Sequence, residues 1–388
     1  MTSFTPYWRH LDWDDIVLRI NAATARDVQR ALDSEHPGPE AFLALISPAA
    51  QPFIEPLAQR ARRLTRQRFG NVVNLYLPLY LSNLCANDCT YCGFSMSNHL
   101  KRKTLDEDEI VNECRAIRDM GFENVLLVTG EHKGKVGIEY FRRTVPLIRR
   151  YFSALMMEVQ PMSQEDYAEL KTLGLDGVMV YQETYHAATY QRHHLRGQKR
   201  DFTWRLETPD RLARAGIDKI GLGALIGLSD NWRADCYMVA EHLLYLRKTY
   251  WQSRYSLSFP RLRPCAGGIT PASLMNEAQL LQVMCAFRLL APEVEISLST
   301  RESPFFRDHA VPIVVNSVSA GSKTQPGGYA GGGPELEQFE PHDHRSPREV
   351  QLMLERAGLQ PVWKDWDGYL GRSSAMDPNR ISRSGLSH

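Results

Sequence analysis

Three cysteines in the run LSNLCANDCTYCGFS are the side chains in this chain best suited to chemistry. Cys85, Cys89 and Cys92 have the spacing C-x3-C-x2-C. Three thiolates on one loop can each hold one iron of a [4Fe–4S] cubane, and the fourth iron then keeps an open coordination position. A structural zinc site wants four ligands, usually as two separated pairs. The chain has no second C-x2-C, so His99 or Cys114 would have to complete a zinc site at an unusual spacing.

The other polar groups that draw attention fall where short apolar runs end. Candidate strands are Val72–Tyr80, Asn124–Thr129, Leu155–Gln160, Gly177–Gln182, Lys219–Ile226, Tyr255–Phe259, Glu295–Ser299 and Pro312–Val318. Helical patterns separate most of them. In Asp106–Met120, for example, Ile110, Cys114 and Ile117 share one face, the first turn is acidic, and Gly121 supplies a stop. Cys114 therefore reads as a small buried hydrophobe, and Cys236, Cys265 and Cys285 as core or loop residues. Strand–helix alternation on this scale means parallel strands with crossover helices. The fold class is α/β, a (β/α)8 TIM-type barrel either closed or open at one side, with chemistry at the C-terminal strand ends. Residues 1–70 read as an N-terminal helical extension and 71–320 as the barrel. Residues 321–370 read as a loop and helix region closing the barrel, and 371–388 as a flexible tail. GGYAGGG (327–333) is too permissive for a regular element and reads as a loop able to order over the site.

Composition sets wider bounds. The chain has 388 residues and a formal net charge of +1, so no strong global field draws it to nucleic acid or anionic lipid. The N-terminus lacks a basic stretch followed by an apolar one, and no run approaches the roughly 20 apolar residues of a membrane helix. The expectation is a cytoplasmic protein with no nucleic acid and no membrane partner. Seven cysteines without a leader argue against a disulfide framework. The arginine-rich helix 55–69 (Arg60, Arg62, Arg63, Arg66, Arg68) reads as a solvated face, with a nucleic-acid face as the rival.

With Tyr91 as the aromatic of C-x3-C-x-aromatic-C, the motif resembles the signature of the radical S-adenosylmethionine (SAM) superfamily. The resemblance implies that Cys85, Cys89 and Cys92 hold one [4Fe–4S] cluster and that SAM chelates the fourth iron. It places Tyr91 near the adenine, with Gly93 giving the chain room to turn away. Thr129-Gly130-Glu131 matches the superfamily's glycine–glutamate motif, in which the carboxylate receives the ammonium of SAM. Glu158, at the third strand end, suits ribose hydroxyls. Gln182 and Glu183, in the dense run Tyr181–His186, are expected to line the site. GLGALIGL (221–228) lacks GxGxxG but would let adenine lie against the backbone, with Ile226 and Gly227 as contacts. Arg301 suits a bidentate substrate carboxylate, with Ser319 beside it, and Glu183 completes the substrate set.

The longer text is similar to the tyrosine lyase (2-iminoacetate synthase) family of thiazole biosynthesis over nearly the whole chain. LDWDD, RLTRQRFG, NLCANDCTYCGFSMSN, LLVTGEH, MVYQETYH, DKIGLGALIGLSDNW, SFPRLRPC, STRESP, SKTQPGGY and PVWKDWD carry it. That family implies Cα–Cβ cleavage of L-tyrosine to 2-iminoacetate (dehydroglycine) and p-cresol, with 5′-deoxyadenosine and methionine released from SAM. It also implies the thiazole synthase ThiG as partner and a flavodoxin-type reductant. The related hydrogenase maturases carry a second, C-terminal cysteine-rich cluster, whereas no cysteine follows Cys285 here.

Overall fold

A computed structural model describes residues 3–331 and 337–364. Eight parallel strands form the barrel: Val72–Ser82, Asn124–Thr129, Ala154–Glu158, Gly177–Met179, Lys219–Gly223, Arg254–Ser258, Glu295–Leu298 and Ser317–Ser319. Each pairs with the next in sequence order. The eighth returns to the first, with Ser319 opposite Tyr76, so the barrel is closed. The first strand is the longest, and Val72–Asn74 also pair with an outer strand, Gln360–Val362.

The helices outside the barrel follow local signals in the sequence. Glu107–Asp119 starts at Asp106, whose carboxylate accepts Glu109 N–H while Glu109 reaches back, a reciprocal cap. Cys114 lies on its buried face, and Gly121 ends it in the left-handed region at φ +96°. Ser163, Asn276 and Ser346 open three further helices with the same device.

One predicted strand is corrected. Pro312, Ile313 and Val314 finish the helix Pro304–Val314, and the eighth strand is only Ser317–Ser319. A short run of buried aliphatics looks alike in a buried helix and a buried strand. The difference lies in what surrounds the run: Ser303 caps the helix start, while Arg66 and Arg288 take the late carbonyls of Pro312 and Val314.

The N-terminal helices lie against the outer helices of the later strands. Phe42 packs edge-on to Phe287 at 4.5 Å, and Gln282 donates to the carbonyls of Leu45 and Ser47. Phe4 stacks on His242 at 3.9 Å. Two arginines of the helix Ile54–Phe69 serve the fold, Arg60 by donating to Leu32 O and Ser34 O, and Arg66 to Gly70 O and Pro312 O. Beyond the barrel, helix Pro347–Arg356 leads to the outer strand, where Trp363 packs against Phe122. The predicted tail, 371–388, lies outside the described residues, as do 332 and 333 of the glycine-rich loop. Of that loop, Tyr329 and Ala330 are anchored by N–H donation to Glu113. Among the described residues, no single helix is long and apolar enough to cross a membrane.

Candidate active site

The loop after the first strand is braced from inside. Arg102 donates to the carbonyls of Asn83, Phe94, Ser95 and Asn98 and so ties the turn to itself at four points. Ser95 and Ser97 both donate to Asp88, and Ser95 Oγ accepts Cys89 N–H at 3.0 Å. A short ribbon, Asp88–Cys89 against His194–Arg196, holds the middle cysteine.

Cys85, Cys89 and Cys92 all line one cavity of about 190 Å³ at the C-terminal mouth of the barrel. Burial pushes the Cys85 thiol up to about 11 and raises that of Cys89 well above its ordinary value, so a bound metal is what would hold these sulfurs as thiolates at neutral pH. Asn87 N–H points at Cys85 Sγ at 3.4 Å and Gln338 Nε2 at Cys92 Sγ at 3.8 Å. Among the described residues, no three His, Cys, Asp or Glu side chains converge to hold a single ion. Three thiols spread around one wall, two of them already facing N–H donors, fit a cluster that takes one sulfur per iron.

The second strand end supplies Gly130 and Glu131. A Cβ at Gly130 would lie 2.4 Å from Leu84 O, so glycine is required for the cysteine loop to pack on this strand end. Glu131 accepts from Asn87 Nδ2 at 2.7 Å and Arg205 Nη1 at 3.0 Å, with Lys199 Nζ at 4.0 Å. Burial alone would raise its carboxyl, but Arg205 and Lys199 outweigh burial and hold it below the ordinary value. Glu183 shares both cations, Lys199 at 2.7 Å and Arg205 at 3.5 Å. It is the one non-glycine residue among those described with a left-handed backbone, at φ +70°. That strain is held in place by Leu225 N–H donating to Glu183 O at 2.8 Å.

Tyr91 also lines the cavity, and its hydroxyl lies 2.7 Å from His194 Nε2. His194 Nδ1 faces the Tyr190 carbonyl at 2.6 Å, which can only accept, so Nδ1 carries the proton. Burial drives the imidazole down to about 2, so the ring is neutral and Nε2 accepts from Tyr91.

Glu158, Arg301 and Ser319 line the same cavity. Burial raises Glu158 to about 7, Glu183 adding to that and Arg301 opposing it. The Arg301 guanidinium stacks on Phe339 at 3.5 Å and, among the described residues, has no carboxylate or carbonyl partner. Nearby, Arg261 makes a structural salt bridge with Glu302. Ser319 Oγ accepts Thr300 N–H at 3.0 Å.

Three predicted contacts lie off the cavity wall. Gln182 is turned to Phe202 O at 3.5 Å. Ile226 has its N–H on Pro260 O and its carbonyl on Leu262 N–H, and Gly227 packs against Pro271 and Ser273. Strand pairing takes these groups, and Leu225 faces the cavity instead. In the fourth strand-end run, Thr184 and Tyr185 serve the fold by donating to the buried Asp235.

Sequence reading missed Lys199, Arg205, Asn87, Gln338 and Phe339. Lys199 sits in LRGQKR, which by composition reads as a solvated loop. The available signal was Gly197, which at φ +84° lies so close to Asn87 that a Cβ would be 2.1 Å from its Oδ1. Cys265 is near the site but donates to Tyr91 O at 3.2 Å.

Comparison with known proteins agrees with this geometry. The radical SAM superfamily model matches residues 79–238, and the biotin and thiamin synthesis associated domain matches 258–360. The chain is 71% identical to the 2-iminoacetate synthase of Salmonella typhimurium over 96% of its own length and 99% of that protein. It is 70% identical, with the same coverage, to the 2-iminoacetate synthase of Escherichia coli. Among solved structures it superposes on HydG, a maturase of the [FeFe]-hydrogenase, with a TM-score of 0.86 and 29% identity, covering 93% of this chain and 81% of HydG.

Proposed function

The chain belongs to the 2-iminoacetate synthase family of radical SAM enzymes, and from that premise we infer that it cleaves the Cα–Cβ bond of L-tyrosine to 2-iminoacetate and p-cresol. The observation that carries this reading is the convergence of three cysteines, the Glu131–Arg205–Glu183–Lys199 cluster and Arg301, which has no ion pair among the described residues, on one cavity. When bound, a [4Fe–4S] cluster and SAM supply the electron and the 5′-deoxyadenosyl radical that begin the reaction.

The chain's own groups bind and orient. Cys85, Cys89 and Cys92 would each hold one iron. Glu131 would take the ammonium of SAM. Arg205 and Lys199, beside it, match the carboxylate of the same amino acid, so one zwitterion meets both signs at fixed spacing. Tyr91, its hydroxyl tied to His194, presents a fixed ring to the adenine, and Leu225 offers backbone on the other side. Glu158 accepts from ribose hydroxyls. Arg301, with donors unspent, would clamp the tyrosine carboxylate, Ser319 alongside, and Glu183 completes that wall. A buried mouth excludes water from the radical steps.

The product imine hydrolyses readily, which supports direct transfer to the thiazole synthase ThiG for thiamine synthesis. A flavodoxin-type reductant would approach where the cysteine loop and its ribbon reach the surface, at the exposed Met96 and Leu195.

Anaerobic reconstitution tests the reading. With SAM, tyrosine and a strong reductant, p-cresol and 5′-deoxyadenosine are expected in matching amounts. Clustered, reduced protein that binds SAM yet forms no p-cresol would overturn it.

A further inference from the structure

The segment 337–345 crosses the mouth as a strap secured along its length. Gln338 N–H donates to Thr324 O at 3.0 Å, and the Thr324 hydroxyl to Phe339 O at 2.9 Å. His342 and Asp343 N–H both donate to Thr300 O, at 2.8 and 3.1 Å. The Asp343 carboxylate is gripped by the buried Arg307 and by Arg345. The strap rests directly on the cysteine loop, since a Cβ at Gly93 would lie 2.6 Å from Gln338 O. Gly93 thus makes room for the strap crossing it.

Two adjacent strap residues then meet two functional groups. Gln338 Nε2 lies 3.8 Å from Cys92 Sγ, and the Phe339 ring lies 3.5 Å from the Arg301 guanidinium carbon. The amide orientation follows from its partners. A sulfur that ligates iron has no proton to give, so the NH2 end must face it. The Gln338 Oε1 end accepts from the Tyr80 hydroxyl at 2.7 Å, and burial raises that phenol well above its ordinary value, so it keeps its proton.

We propose that Gln338 is a positioning residue that donates a hydrogen bond to the Cys92 sulfur and thereby raises the cluster's reduction potential, and that Phe339 links this bond to the occupancy of Arg301. The proposal rests on the reading that Cys85, Cys89 and Cys92 hold the cluster. Reduction adds negative charge that the sulfurs share, so an N–H directed at one of them favours the reduced form. A carboxylate arriving on Arg301 changes the guanidinium's stack on Phe339, and the neighbouring Gln338 is on the same short secured segment.

The test is an EPR-monitored redox titration of the full-length, anaerobically reconstituted protein, with iron and sulfide measured, with and without tyrosine. Gln338→Leu should titrate at a lower midpoint potential than the unmodified protein at equal iron content. Gln338→Glu, which keeps the shape but turns a negative oxygen toward sulfur, should be lower still. Tyr80→Phe, which removes only the hydroxyl holding the amide, should shift the same way by less. Tyrosine should move the midpoint of the unmodified protein but not that of Gln338→Leu or Phe339→Leu. Unchanged potentials in fully clustered Gln338→Leu and Tyr80→Phe overturn the donor role, and a midpoint indifferent to tyrosine in the unmodified protein overturns the link. Absence of iron from the unmodified protein would instead overturn the cluster reading itself.

Discussion

The barrel encloses two charged cavities that share Tyr76, Leu126 and Tyr181 as a partition. Below it, a space of about 40 Å³ holds the ion pair Lys219–Glu295 at 2.6 Å, with Ser256 donating to Glu295 at 3.0 Å. Above it, the mouth of about 190 Å³ holds Glu131 and Glu183 against Arg205 and Lys199. Burial and pairing are similar in the two, so neither property distinguishes a site from a core. The difference is where the charges sit on the chain. Lys219 and Glu295 are first residues of strands and fill the barrel at its closed end. Glu131 and Glu183 follow strand ends, Lys199 and Arg205 come from the long connection after the fourth strand, and all four face the open volume of the mouth.

The sharpest contrast between the regions comes from the cysteines. Replacing Cys85, Cys89 or Cys92 by Ala should reduce SAM cleavage to background and remove the iron. Cys114→Ala, in the buried helix face, should cost about 1 kcal/mol of stability and leave iron content intact. Iron analysis and 5′-deoxyadenosine release check both, and iron loss in Cys114→Ala would break the ligand assignment.

In the lower cavity, Lys219→Met strands Glu295 as a buried charge and should cost about 3–5 kcal/mol in denaturant unfolding, while SAM affinity stays near its original value. The upper counterpart is Glu131→Gln. It keeps the volume and loses the charge proposed to meet the ammonium, so SAM binding should weaken by about 1.5–3 kcal/mol, or roughly 10- to 100-fold, in equilibrium dialysis. If Lys219→Met damaged SAM binding as severely, position along the strand would not be the distinguishing feature.

The smallest expected effect is pH-dependent. Glu158 is raised to about 7 by burial, so it is mostly neutral at pH 6 and mostly ionised at pH 8. SAM carries a sulfonium cation, so its affinity should rise with pH across that window by about 1 kcal/mol, or about fivefold. Glu158→Gln should give a flat profile. A slope that persists in the variant would assign the titration to another group.

Much of this was legible in one dimension. Alternating runs gave all the barrel strands save the eighth, whose buried aliphatics belong mostly to a helix. The cysteine spacing, Glu131, Glu158, Glu183, Arg301 and Ser319 were found because strand ends are visible as periodicity changes, and all of them line the mouth. Gln182, Ile226 and Gly227 do not line that cavity, since which way a strand end faces depends on the pairing of its neighbours. Gln338 and Phe339 carried no signal, because they come from far along the chain and meet the cysteine loop only through the strap.

The sequence by itself determined the element order, the three closely spaced thiols and the strand ends that line the mouth, because periodicity and residue spacing are local properties. Only the tertiary structure decided which cations meet which carboxylates. Arg205 and Glu131 are 74 residues apart, and Gln338 and Cys92 are 246 apart. Contacts at such separations are set by barrel closure and by where glycines let two backbones touch, and neither is written in any short stretch of residues.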